Sequence, residues 1–206
     1  MSHNKVSIRL NVIELDEGYR LHFLFPWDKS GILYIVSMVL FAHGWDIVQA
    51  FSQPNVEAEF EDIFEVVPST ATYFDEKAAN RVRSDIEMLL EQGAENKPLL
   101  SKYLDKFPSK SKLLQAASKV KSEFRVNKVP GHRHMVLEVR RPDRPGVLMQ
   151  ICKALHEIGI DIISFKADTL ENQIFDEFTI CYSDGEAISE NDLTGLEDRL
   201  SSNMDF

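Results

Sequence analysis

Two short segments carry residue types able to hold a small charged molecule: Asp143-Arg144-Pro145-Gly146-Val147-Leu148 and Asp28-Lys29-Ser30-Gly31-Ile32-Leu33. In each, an aspartate stands three residues before a glycine, and an apolar run follows. A helix opening at Gly146 or Gly31 presents its first N–H groups without intrahelical acceptors, at the positive end of its dipole, and so suits a carboxylate. Glycine lets the backbone approach a ligand closely. Asp143 and Asp28 have two uses open to them, capping the helix or accepting from a ligand ammonium. A plain helix start, with Pro145 in the first turn, accounts for the same residues without a ligand. Asp46-Ile47 and Asp161-Ile162 each open a strand, and the expected ligand position lies between the turn of one copy and the Asp-Ile start of another, within one chain or across two.

The two copies are a repeat. Residues 28–65 lie over residues 143–180 without a gap: Asp28, Gly31 and Leu33 fall on Asp143, Gly146 and Leu148, Gly44, Asp46 and Ile47 on Gly159, Asp161 and Ile162, and Phe60 on Phe175. The coincidences sit where backbone geometry is decided, which favours duplication over chance. In each copy a short β-rich run (19–25 and 135–139) leads into the turn. A helix with a stripe follows, Ile32, Ile35, Val36, Val39 and Leu40 in one copy and Val147, Ile151, Ala154, Leu155 and Ile158 in the other. Gly44 and Gly159 close these helices. Two strands then form a hairpin (46–51 with 60–67, 161–167 with 175–182), and a second helix runs over 75–92 or 189–202, the latter opened by Ser189 and Asp192 in the manner of a capping box.

The order β-α-β-β-α predicts an α+β fold of two ferredoxin-like βαββαβ modules, antiparallel sheets with helices on one face. Phe124–Lys128 is the expected closing strand of the first module. The expected division is 1–128, with a helical insertion at about 96–122, and 129–206. Phe51, Phe60, Phe64, Phe165 and Phe178 are expected in the core.

The charge of −10 over 206 residues opposes attraction to nucleic acid, whose affinity comes from cations on phosphates. The basic stretch 97–128 is read as a solvated face, or else a dock for an acidic neighbour. The longest apolar run, 31–42, is too short to span about 30 Å of hydrocarbon and reads as a core helix. The start offers no apolar stretch of the signal type, and Cys152 and Cys181 read as buried free thiols, so a cytoplasmic protein is expected. His132 and His134 lack further ligands at metal spacing. No P-loop, dinucleotide fingerprint or nucleophile elbow occurs, so no catalytic residue, metal or cofactor is expected.

Asp143–Leu148, Leu155-His-Glu-Ile-Gly-Ile-Asp-Ile162 and Phe165-Lys-Ala-Asp-Thr-Leu170 together resemble the ACT domain, a ferredoxin-like regulatory module that usually binds amino acids between paired copies. As a tandem they are most similar to the ACT pair at the C-terminus of the uridylyltransferase/uridylyl-removing enzymes that modify protein PII. There a Val-Pro segment leads into a Val-Leu-Glu-Val strand and an Asp-Arg-Pro-Gly turn, as Val129-Pro130, Val136–Val139 and Asp143–Gly146 do here. The likeness spans about 129–182 and is looser over 19–67, where Trp27 and Ser30 stand in place of the usual Pro beside Gly. The resemblance implies a non-catalytic sensor of nitrogen metabolism. Its small-molecule ligand is an amino acid, glutamine by the likeness alone, held by both turns (28–33, 143–148) and both Asp-Ile starts. It also implies a homo-oligomer, with neither membrane nor nucleic acid as partner. The catalytic motifs of those enzymes are absent from the sequence. An interaction-only dimerisation module, or a regulatory part of such an enzyme, is the alternative.

Overall fold

A computed structural model describes residues 7–54, 60–69, 73–110, 122–128 and 133–204. The strands are β1 (Arg9–Glu14), β2 (Tyr19–Phe25), β3 (Trp45–Pro54), β4 (Phe60–Pro68), β5 (Glu123–Lys128), β6 (Met135–Pro142), β7 (Ile160–Leu170) and β8 (Gln173–Tyr182). The helices are α1 (Ile32–Ala42), α2 (Glu76–Gln92), α3 (Lys97–Asp105), α4 (Val147–Glu157) and α5 (Leu193–Met204). The insertion helix expected around 112–122 lies largely outside the described residues, as do Val129, Pro130 and His132.

All the described strands join one antiparallel sheet in the order β1-β2-β4-β3-β7-β8-β6-β5, and the protein is α+β. The order reads the same from either edge, because β3 and β7 meet at the centre and each half repeats outward. The two halves pair within one chain. Alternation along the strands buries one face, with Leu21, Phe23, Phe25, Phe64, Val66, Leu137, Val139, Phe178 and Ile180 under the helices. The other face is polar, where Arg20 meets Glu65 at 2.9 Å and His22 meets Glu61 at 2.8 Å.

Three expectations change. Phe124–Lys128 does not close the first module: β5 pairs with β6 of the second half, and β1 supplies the edge of the first half. Each half therefore begins with a hairpin, an arrangement as economical as closing with a strand, since either fills the same edge. The repeat is not gap-free. Ile47 pairs with Val66 and Ile162 with Ile180, so β8 runs one residue ahead of the sequence alignment, and Asp176, not Glu177, matches Asp62. The cause is the β7–β8 turn at Glu171 and Asn172, a tight turn with both residues at positive φ (50° and 61°). Phe60 is not core: it and Phe175 are 45% and 41% exposed near their hairpin ends, while Phe64, Phe165 and Phe178 are buried.

Helix α1 is buried on every side because α2 and α4 flank it above the sheet. Its core Ser37 donates to the carbonyls of Leu33 (2.7 Å) and Tyr34 (3.0 Å), which satisfies the hydroxyl within the helix. Asp75 caps α2 by accepting from Ala78 N–H at 2.7 Å, and Gly93 ends it at φ 86°. Ser189 donates to Asp192 at 2.7 Å at the 3₁₀ turn that leads into α5.

Candidate functional site

The β2–α1 turn of the first half and the α4–β7 corner of the second enclose a cavity of about 300 Å³. The turn contributes Asp28, Lys29, Gly31, Ile32, Leu33 and Tyr34, and the corner contributes Cys152, His156, Ile160, Asp161 and Ile162. Ser52, Phe60, Glu61, Asp62 and Phe165 line it from the sheet. The size is at the low end for small-molecule sites, on the order of 300–1,000 Å³. Ser30 does not line it; its hydroxyl is buried without a hydrogen-bond partner among the described residues.

The repeat generates the same site a second time, and there it is almost filled. A space of only about 10 Å³ is lined by Ser37, Phe41, Trp45, Asp46, Ile47, Arg144, Gly146, Val147, Leu148 and Met149. Each of these residues has its repeat counterpart in the open cavity. Cys152, His156, Ile160 and Tyr34 in the open site stand where Ser37, Phe41, Trp45 and Met149 stand in the closed one, and the two large rings of Phe41 and Trp45 take up the volume. Trp45 is locked in place by Tyr19 and Phe74, with ring centroids at 5.6 and 4.9 Å. Arg144 folds back on its own helix, donating to Gln150 at 2.6 Å. Asp143 and Pro145 fall outside the lining. The resemblance is stronger for the second turn, yet the open space is at the first.

Gly31 and Gly146 are themselves the helix N-caps, at φ 84° and 81°, with no side-chain cap. Asp28 and Asp143 therefore do not cap, and Pro145 precedes the helix. Each carboxylate instead accepts from the next backbone N–H, that of Lys29 or Arg144. Gly31 is required by the chain as much as by any ligand: a Cβ there would lie 2.4 Å from the Ala94 Cβ and 3.6 Å from the His156 ring. Ile32 N–H bonds to Lys29 O and Ile35 N–H to Gly31 O, which leaves the amides of Leu33 and Tyr34 without helical acceptors at the cavity wall.

The carboxylates form two equivalent trios. Around the open cavity stand Asp28, Asp62 and Asp161. Burial, then Asp161, pushes the Asp28 carboxyl up, and burial with Asp28 beside it pushes Asp62 up to about 7. Around the closed twin stand Asp143, Asp176 and Asp46. Burial raises Asp143, and burial raises Asp176 to about 8 with Asp143 and Asp168 adding to the effect. Asp46 rises to about 6 through burial and Asp143, opposed by Lys110. Asp62 and Asp176 are not among the candidate site residues that the sequence offers. Their signal is parity: Asp62 alternates with Phe64 and Val66, and Asp176 with Phe178 and Ile180, on the inner face. Among the described residues no His, Cys, Asp and Glu group is placed to hold a metal ion.

Residues 123–194, about a third of the chain, match the family model of the ACT-like domain of plant bHLH transcription factors. The match begins at β5 and ends as α5 begins, covering the second half with its edge strand. This stretch is an ACT-like domain, which points to a regulatory, ligand-binding or dimerisation role. No solved structure matches the chain. Among the described residues no helix is long and apolar enough to cross a membrane.

Proposed function

We propose that this protein is a non-catalytic regulatory sensor that binds an amino-acid-sized ligand in the open cavity between its two halves. The observation that carries the reading is the pair of equivalent sites, one open at about 300 Å³ and one closed at about 10 Å³. A position that the fold can fill with Phe41 and Trp45, and leaves unfilled beside His156 and Ile160, suits a molecule that comes and goes. Space between packed halves also gives a ligand leverage on their arrangement, provided it favours one arrangement over another. A non-catalytic role is supported by the chemistry of the wall, because burial pushes the Cys152 thiol well above its ordinary range and so suppresses the thiolate. The kinship to the ACT pairs of PII-modifying enzymes, with the cytoplasm as setting, is the finer form of the same reading and rests on residues 129–182.

Thermal stability of the full chain against the twenty amino acids tests it, since a ligand that binds only the folded state raises the midpoint with occupancy. One or a few should raise it. The double variant His156→Phe with Ile160→Trp copies the closed twin and should remove the response while folding normally. A flat panel favours a module for interaction alone, the reading that the filled twin site supports.

A further inference from the structure

The cavity has a charge as well as a shape. We propose that it takes a ligand of net positive charge, an alkylammonium carried by a dibasic amino acid or an alkyl diamine, with the ammonium among Asp28, Asp62 and Asp161. This rests on the reading of the cavity as a ligand site and adds the class of ligand.

Asp62 is the decisive residue. It is only 9% exposed, lines the cavity, and has no hydrogen-bond donor or ion-pair partner among the described residues. A buried carboxylate in that condition is costly, and a cation brought by a ligand removes the cost. Asp161 and Asp28 add charge of the same sign across the space. Glu61 on β4 also lines it. The basic side chains of the lining are turned elsewhere: Lys29 Nζ donates to Leu90 O at 3.4 Å and sits 5.9 Å over the Trp27 ring, and the His156 ring packs against Tyr34 with centroids 6.1 Å apart.

The closed twin shows what meets such a trio when the chain supplies it. Lys110, 5% exposed, lies near Asp46, with its Nζ 5.3 Å over the Phe41 ring and within 3.3 Å of Ser69 Oγ. Phe41 is the counterpart of His156, so an alkylammonium stands over that position in the closed site, whereas Lys29 of the open site is turned to Leu90 O and the Trp27 ring. Lys110 comes from the basic stretch between the two copies. One trio is thus served from within, and the other is left for a molecule from outside. The free amides of Leu33 and Tyr34 offer a place for the carboxylate of a dibasic amino acid and none for a second ammonium.

Binding to the full chain at pH 8 is measured by thermal shift and calorimetry with three probes: L-lysine, L-norleucine, which has the same chain without the ε-ammonium, and cadaverine, which lacks the carboxylate. L-Lysine or cadaverine should raise the midpoint by several degrees at 100-fold excess over Kd, and norleucine and L-glutamate should not. Asp62→Asn, isosteric and free of the buried charge, should weaken the positive probe at least ~10-fold without loss of folding. A response to lysine alone assigns the dibasic amino acid, and one to cadaverine assigns the diamine. Norleucine binding as well as lysine, unchanged in Asp62→Asn, overturns the charge assignment and leaves the cavity reading in place. No response to any probe or to the twenty amino acids, or a response that persists in His156→Phe/Ile160→Trp, overturns both.

Discussion

Phe51 and Lys166 face each other across the seam between β3 and β7, and each is the other's counterpart in the repeat. A residue can pair with its own repeat partner only where a two-fold axis passes through the pair. The seam is therefore the point about which one half is rotated onto the other, and it explains why every turn at one end of β3 lies beside the strand start of the other half. The bulges obey the same relation. Val48, between Ile47 and Gln49, and Ile163, between Ile162 and Ser164, are the extra residues, each directly after an Asp-Ile pair. A bulge bends its strand there, next to both sites.

The seam is short, and side chains reinforce it. Gln49 Nε2 donates to Asp168 at 2.6 Å, and Phe165 N–H donates to Ser52 Oγ at 3.0 Å. Ser52→Ala leaves the Phe165 amide without its acceptor and should cost about 1–2 kcal/mol. Hydrogen exchange should rise at Phe165 and its seam neighbours before it rises at the outer strands. Uniform acceleration across the sheet would show that the hydroxyl does not pin the seam.

Gly31 and Gly185 share a φ of 84° but not their surroundings, since a Cβ at Gly185 would meet nothing within 4 Å. Gly185→Ala should cost only the left-handed penalty, about 1–2 kcal/mol. Gly31→Ala adds the overlap with Ala94 and should cost at least ~1 kcal/mol more by urea denaturation. Adding Ala94→Gly should recover that excess. Equal costs for Gly31→Ala and Gly185→Ala would refute the close packing of the turn on Ala94.

Asp62 and Asp176 set a pH dependence. Their ordinary value is 3.8, and burial raises them in the folded chain to about 7 and about 8. Between those limits the folded state holds protons that the unfolded state has lost, so stability is highest in acid and falls as pH rises. The slope is about 1.4 kcal/mol per pH unit for each group, and the fall ends above the folded values. Urea midpoints from pH 5 to 9 should decline and then level, and the Asp62→Asn/Asp176→Asn pair should flatten the curve. A profile that keeps its slope in the double variant places the titration elsewhere.

Much of this architecture is legible in the residues. Gly44, Gly159, Asp75 and Gly93 act where their chemistry suggests, and the α1 and α4 bounds differ by the repeat spacing at both ends. Pairing was harder to read. Which sheet edge Phe124–Lys128 joins depends on long-range geometry that local periodicity does not encode. The one-residue slip of β8 hides in a turn that uses Glu171 and Asn172, residues with no turn signal as strong as Asn-Gly. Closure of the second site is a matter of volume. Phe41 and Trp45 look like ordinary core residues until the seam brings them against Gly146, and only then does the first turn, less similar to the family pattern, emerge as the open one.

The insertion helix α3 is held by one carboxylate. Asp85 on α2 accepts from His43 Nε2 at 2.9 Å and from Tyr103 OH at 2.8 Å on the same oxygen, and the Phe107 ring meets His43 edge-on and Tyr103 at a tilt. Burial alone would raise the Asp85 carboxyl, and the bonds from His43 and Tyr103 outweigh it and hold the group below its ordinary 3.8. Its contribution is therefore present above pH 4 and lost as pH falls through the depressed value. Tyr103→Phe removes one donor from a partly exposed acceptor and should cost about 1 kcal/mol, whereas Asp85→Ala strands the buried Tyr103 hydroxyl and should cost about 1–3 kcal/mol. Because α3 makes few other polar contacts with α2 among the described residues, the loss should be local. Proteolysis within 97–105 and exchange at Leu100 and Tyr103 should accelerate well before global unfolding. Protection of α3 that falls only in step with the whole protein would mean that its apolar face, Leu100 and the Tyr103 ring, holds it without the carboxylate.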